Sequence, residues 1–215
     1  MKFRSTRSNT CVAPSYALLH GLAPDGGLYV PETFPEQVLQ YKDLAGKSYQ
    51  EIASVVLSYF FTNFTDEERN AMIASAYNET TFRDERIVPL HSIDTDVSIS
   101  ELFHGRTLAF KDLALSLFPY LLTAAKAQEK EDRDILILTA TSGDTGKAAL
   151  EGFKDVAGTN IMVFYPSEGV SPMQKQQMQK QEGNNVNVSA IYGNFDDAQS
   201  FFEAGFRRPR RQRLC

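Results

Sequence analysis

The feature that most constrains this chain is a strand–helix unit that occurs three times in its last third. Ile135-Leu136-Ile137-Leu138 is an unbroken apolar run that predicts a buried strand, and Thr145 to Val156 predicts the helix after it. Ile161-Met162-Val163-Phe164 is the second buried strand, followed by a helix from Pro172 through Gln181. Pro172 suits a first helical turn, where its missing N–H costs nothing. Val186 to Ile191 and Asp196 to Gly205 give the third unit. Three such units in succession predict an α/β fold with a parallel sheet covered by helices on both faces. Ligands of such sheets bind beyond the carboxyl ends of the strands. Attention therefore falls on the loop after the first strand.

That loop is Thr141-Ser142-Gly143-Asp144-Thr145-Gly146. Two glycines let backbone and ligand approach closely, and hydroxyls beside a helix start can grip a carboxylate or phosphate. On its own the loop is equally well read as a capped helix start with tight packing. A P-loop is excluded, because that pattern needs glycine where Thr141 stands and Ser or Thr where Ala148 stands. Gly193-Asn194-Phe195-Asp196-Asp197 also precedes a helix, but two aspartates there would repel a phosphate, and helix capping is the better account.

Thirty residues upstream, His104-Gly105-Arg106-Thr107-Leu108-Ala109-Phe110-Lys111-Asp112 sets a lysine behind an apolar approach at the start of a helical run. Lysine is a useful nucleophile only when its amine is partly neutral, a state favoured by desolvation or neighbouring cations. Spacing alone leaves open an ordinary surface lysine at a helix start. The run from Phe110 to Lys126 predicts a helix that Pro119 kinks or splits. Ile87 to Leu90 predicts the start of a strand-like segment, and Val97 to Phe103 a strand leading into the His104 stretch.

The first part of the chain predicts a small, mostly helical subdomain. Met1 to Asn9 reads as a strand or ordered arm, Pro24-Asp25-Gly26-Gly27 as a turn, and Leu28-Tyr29-Val30 as a strand ended by Pro31. Ser48 to Asn63 has helical apolar spacing, and Thr65 with Glu68 forms a capping box that opens another helix. The net charge of −5 argues against broad nucleic-acid binding, although five arginines lie between Arg207 and Arg213. Removing those five from 22 basic residues leaves 17 against 27 acids, a body of −10. Two cysteines, Cys11 and Cys215, with no CxxC pair, give neither a disulfide framework nor a zinc site, and a cytoplasmic location is expected. No apolar run reaches the ~18 residues of a membrane span, and the start lacks the apolar region of a secretory signal.

The wording of these segments resembles the threonine synthase family. ELFHGRTLAFKDLAL resembles the family's pyridoxal-lysine motif, HGPTLAFKD, and TATSGDTGKAA resembles its TSGDTG substrate loop. STRSNTCVAPSYALLHGLAPDGGLYVPETFP and SPMQKQQMQKQEGNNVNVSAIYGNFDDAQ resemble its opening and later segments, in family order over nearly all of residues 3–206. The resemblance implies a pyridoxal 5'-phosphate-dependent lyase of fold type II, of which this is the amino-terminal half. It would convert O-phosphohomoserine and water to L-threonine and phosphate. Lys111 would carry the cofactor as an aldimine and act as the base, Phe110 would shape the cofactor pocket, and Thr141, Ser142, Gly143, Asp144 and Thr145 would hold the substrate. No metal is implied, and His104 reads as a structural histidine.

The expected organisation is an amino-terminal subdomain over 1–85, a partial cofactor-binding α/β domain over 86–206, and a basic tail over 207–215 that reads as non-native or frame-shifted. Arg106 departs from the family proline and Ser8 from a glycine. The resemblance places the cofactor's phosphate cradle in a second half beyond this text. Two alternatives stand beside the enzyme: a non-catalytic remnant binding a partner or small amino acid, and a basic-tailed nucleic-acid binder.

Overall fold

The computed structural model describes residues 1–35, 39–141 and 143–200. It forms two compact units, the first over Met1–Asp132 and the second beginning at Arg133. The sequence pattern, by contrast, changes at residue 86.

In the first unit, β1 (Phe3–Ser5) is the middle strand of an antiparallel sheet between β2 (Cys11–Val12) and β3 (Tyr29–Pro31). Pro31 is tolerated because β3 is an edge strand. The expected turn before β3 is held by Asp25, whose carboxylate accepts from the Gly27 amide at 2.9 Å and from the Ser5 hydroxyl at 2.8 Å. Gly27 has no room for a side chain, since a Cβ there would lie 2.2 Å from Ser5 Oγ.

The helices of this unit are α1 (Pro14–His20), α2 (Tyr41–Leu44), α3 (Tyr49–Phe60), α4 (Asp66–Ala76), α5 (Asp112–Leu115) and α6 (Phe118–Gln128). Both α3 and α4 start in complete capping boxes, Ser48 with Glu51 and Thr65 with Glu68. Pro119 stands in the first turn of α6, so the predicted 110–126 helix is split rather than kinked. The core gathers Phe64, Met72, Ile73 and Tyr77 from the α4 region, Phe82 and Ile87, and Leu117, Leu121 and Ala125 from the α6 region. Burying each large side chain contributes about 1.5–3 kcal/mol. The Tyr77 hydroxyl donates to the Leu113 carbonyl at 2.7 Å, and burial raises its pKa.

Residues 87–89 are not the beginning of a strand. Ile87 is fully buried in that core with φ +64°, a left-handed conformation that β-branched residues rarely adopt. The turn is secured by Asp84, which accepts from the Arg86 amide and from its guanidinium at 2.9, 2.9 and 2.8 Å. Strand pairing begins only at Leu90, where β4 (Leu90–Ser92) and β5 (Ser98–Ser100) form an exposed antiparallel hairpin.

In the second unit, β6 (Ile135–Ala140), β7 (Thr159–Pro166) and β8 (Val186–Ile191) are parallel and lie in that order. The intervening helices are α7 (Asp144–Phe153) and α8 (Pro172–Gln179). A third helix covers 195–200 of the described residues. Asn194 caps it: its side chain accepts from the Asp197 amide at 3.0 Å while Asp197 accepts from the Asn194 amide at 2.8 Å. The rest of the predicted 196–205 helix, and the 207–215 tail, lie outside the described residues.

Both α7 and α8 pack on one face of this sheet. Gly146 of α7 abuts Val163, and Gln179 of α8 donates to the Tyr165 hydroxyl at 2.8 Å. Ile161, Val163 and Tyr165 of that face are buried. The opposite face carries Leu136, 59% exposed, with Leu138, Met162 and Phe164 beside it in register. Within this unit α7 and α8 thus share one face of the sheet. Strands added always on the same side send crossovers of one hand back over the same face.

Candidate functional site

Lys111 lies directly before α5, a helix of a single turn. The chain reaches it through a bridge and two tight turns. Gly105 pairs with Phe82, the Leu108 amide donates to the Gly105 carbonyl at 3.2 Å, and the Asp112 amide donates to the Ala109 carbonyl at 3.0 Å. Leu108 takes φ +62° while 53% exposed, an outlier that no burial explains. Lys111 is half-buried, with Nζ 4.4 Å from the centroid of the Phe110 ring. Phe110 is itself 59% exposed, so the amine and the aromatic ring form one accessible shelf.

Asp112, which the sequence reading did not single out, holds this stretch together. Its carboxylate is buried, accepts from the Thr107 amide at 2.8 Å and from the Thr107 hydroxyl at 2.6 Å, and fills the space where a Cβ on Gly105 would sit. The available signal was a Thr–Asp pair five residues apart around the lysine. His104 is fully engaged: Nε2 is 2.8 Å from Glu101, its ring stacks on Phe103, and its carbonyl accepts from the Arg83 amide. Arg106, in place of the family proline, extends outward and donates through Nε to the Thr80 carbonyl at 3.4 Å.

The loop 141–146 is described on its own, within the second unit. It leaves the carboxyl end of β6, where the Thr141 amide donates to the Phe164 carbonyl at 3.0 Å. Thr141 is buried, and its hydroxyl oxygen accepts from the Gly143 and Gly146 amides, each at 3.0 Å. Gly143 lies under the side chain of Gln174, whose amide nitrogen donates to Asp144 Oδ1 at 2.7 Å. Thr141 and Gly143 therefore shape the loop, whereas Asp144 and Thr145 are exposed on the first turn of α7. Ser142 lies outside the described residues. Lys147 pairs with Glu151 at 3.5 Å and hydrogen-bonds to Gln181, leaving it no part in a phosphate loop.

Residues 2–77 match the family model described as threonine synthase N terminus. Over 95% or more of its length the chain is 38% identical to a threonine synthase of Pseudomonas aeruginosa and 36% identical to that of Saccharomyces cerevisiae. The chain belongs to the threonine synthase family. It spans 44% and 42% of those two relatives, matching the amino-terminal half of the family's text. Among solved structures, a pyridoxal-phosphate-bound threonine synthase of Brucella melitensis superposes with a TM-score of 0.84 at 41% identity, over 96% of this chain and 44% of that one. The yeast threonine synthase gives 0.82 at 34% identity, over 95% and 43%. The α/β fold is accordingly that of fold type II threonine synthases, in part. No helix of the described residues is long and apolar enough to cross a membrane, and no cluster of metal-ligating side chains occurs among them.

The reacting end of pyridoxal phosphate needs a primary amine beside a surface that admits a flat ring. At this stretch Lys111 offers a primary amine 4.4 Å from the ring centroid of Phe110, a residue 59% exposed.

Proposed function

We propose that this chain carries the cofactor lysine and the substrate loop of a threonine synthase, an activity that converts O-phosphohomoserine and water to L-threonine and phosphate. The observation that carries the reading is Lys111, presented on the Phe110 shelf by a stretch whose motif is that of the family. Pyridoxal phosphate, when bound, supplies an electron sink for the pair left as a proton leaves the substrate's α-carbon. Lys111 holds the cofactor through Nζ, and in its free form Nζ accepts and later returns the α-proton. Phe110, whose ring lies beside Nζ, would shape the cofactor pocket. In its own unit, the exposed first turn of α7 offers the Thr145 hydroxyl and a helix amino terminus to the substrate's carboxylate. Asp144, which accepts from Gln174, would help hold the substrate's amino-acid end. Ser142 completes the substrate loop in this reading.

Titration with pyridoxal phosphate tests it. The chain should gain the visible absorbance of a lysine-bound pyridoxal, and Lys111→Ala should lose it. Release of phosphate from O-phosphohomoserine then reports turnover. Absorbance that persists in Lys111→Ala places the cofactor on another amine and refutes the assignment. Calorimetric binding of O-phosphohomoserine without cofactor would favour a non-catalytic binding protein instead.

A further inference from the structure

We propose that Asp112 is the positioning residue for Lys111, fixing the direction in which Nζ is presented by clasping Thr107 across the intervening turn. The proposal rests on the reading of Lys111 as the cofactor lysine. Besides this clasp, residue 111 is held by its carbonyl, which accepts from the Leu115 amide at 3.0 Å, and by Nζ over the Phe110 ring. The helix that follows has a single turn and no side-chain cap, and Leu108 before it is exposed in a left-handed conformation. Against this, the Asp112 carboxylate is 4% exposed and takes two hydrogen bonds from Thr107, one from the amide and one from the hydroxyl. Gly105 closes the clasp, since a Cβ there would lie 2.4 Å from both Cβ and Oδ2 of Asp112.

The four residues between Thr107 and Asp112 are thereby held as a closed loop with Lys111 at its outgoing end. A buried carboxylate is a costly way to close a turn, and it is offset only by donors with matched geometry. Asparagine in its place offers one acceptor atom where two are used. Valine at Thr107 removes the hydroxyl donor at a half-buried position and keeps the shape. Serine at Thr107 keeps both donors.

The test compares Asp112→Asn, Thr107→Val and Thr107→Ser in the full chain. Limiting pyridoxal phosphate is trapped on amines with borohydride, and the labelled lysines are located by peptide mass mapping. The readout is the labelling of Lys111 relative to the other lysines, compared only among variants that are fully folded under the labelling conditions. Urea unfolding of each variant is recorded alongside. The wild-type chain should label Lys111 preferentially. Asp112→Asn and Thr107→Val should each reduce that preference about tenfold, the scale of one hydrogen bond to a charged group, and Thr107→Ser should retain it.

A wild-type chain with no preference for Lys111 overturns the cofactor reading and this proposal with it. Preference kept in Asp112→Asn or in Thr107→Val overturns the proposal alone, and so does preference lost in Thr107→Ser. If Asp112→Asn fails to fold, the two Thr107 variants decide.

Discussion

Gly146→Ala isolates how tightly α7 must approach the sheet. A Cβ on Gly146 would lie 2.4 Å from Thr141 Cγ2, 3.0 Å from Thr141 Cβ and 2.9 Å from Val163 Cγ1. Val163 is fully buried in the central strand and has no free direction. Thr141 cannot rotate away, because its hydroxyl oxygen holds the Gly143 and Gly146 amides. Overpacking of this kind costs about 1–3 kcal/mol, and breaking the two hydrogen bonds to relieve it costs about 1 kcal/mol each. Against that, alanine gains up to ~1 kcal/mol over glycine in a helix interior, and less in a first turn. The clash therefore wins, and Gly146→Ala should lose about 1–2 kcal/mol in urea unfolding followed by far-ultraviolet circular dichroism. Thr141→Ser removes Cγ2, the nearest atom, and leaves the hydroxyl. In that background the alanine penalty should fall by about half, a coupling that a double-mutant cycle resolves. Equal or greater stability of Gly146→Ala, or an unchanged penalty in the Thr141→Ser background, would refute the packing argument.

Three further outcomes are expected. Thr65→Ala and Ser48→Ala each remove a complete capping box and should cost about 1 kcal/mol, measured by thermal unfolding, without altering cofactor binding. The Asp84 carboxylate is held below its ordinary pKa by the Arg86 side chain and amide, so its contribution is present above the unfolded carboxylate value and is lost as pH falls through the folded one. The stability gap between wild type and Asp84→Asn should accordingly be full at neutral pH, begin to narrow below about pH 4 and close as the pH falls through the depressed folded value; a gap that does not narrow at all in acid contradicts this. Leu136→Lys places a charge on the sheet face opposite α7 and α8, at a side chain that is already 59% exposed. It should leave the unfolding midpoint nearly unchanged and lower self-association in sedimentation.

What the sequence made legible is what local chemistry decides. The capping box of α4 and the capping at 193–197 depend on residues a few positions apart, and Pro119 splits its helix whatever lies elsewhere. Ile87 escapes such a reading because its conformation is imposed from a distance: the core of Phe82, Tyr77 and Leu117 draws it in and bends the backbone. The side of the sheet on which α7 and α8 lie was not legible either. Apolar runs count strands but do not order them, and the order β6-β7-β8 alone sends both helices to one face.

The two motifs divide their residues in the same way. In each, the residues that look most distinctive as text are spent on the backbone. Gly105, Thr107 and Asp112 close one turn, and Thr141, Gly143 and Gly146 close the other, all of them save half-buried Thr107 buried and hydrogen-bonded or packed among themselves. Among the side chains each turn leaves accessible are common ones, Phe110 and half-buried Lys111, with Arg106 and Leu108, in one and Asp144 and Thr145 in the other. Their chemistry is ordinary until the frame aims it, which is why spacing alone could not separate Lys111 from a surface lysine. It follows that variants of the frame should impair placement of the amine while the amine itself remains, and variants of Lys111 should do the reverse, leaving the turn and its stability intact.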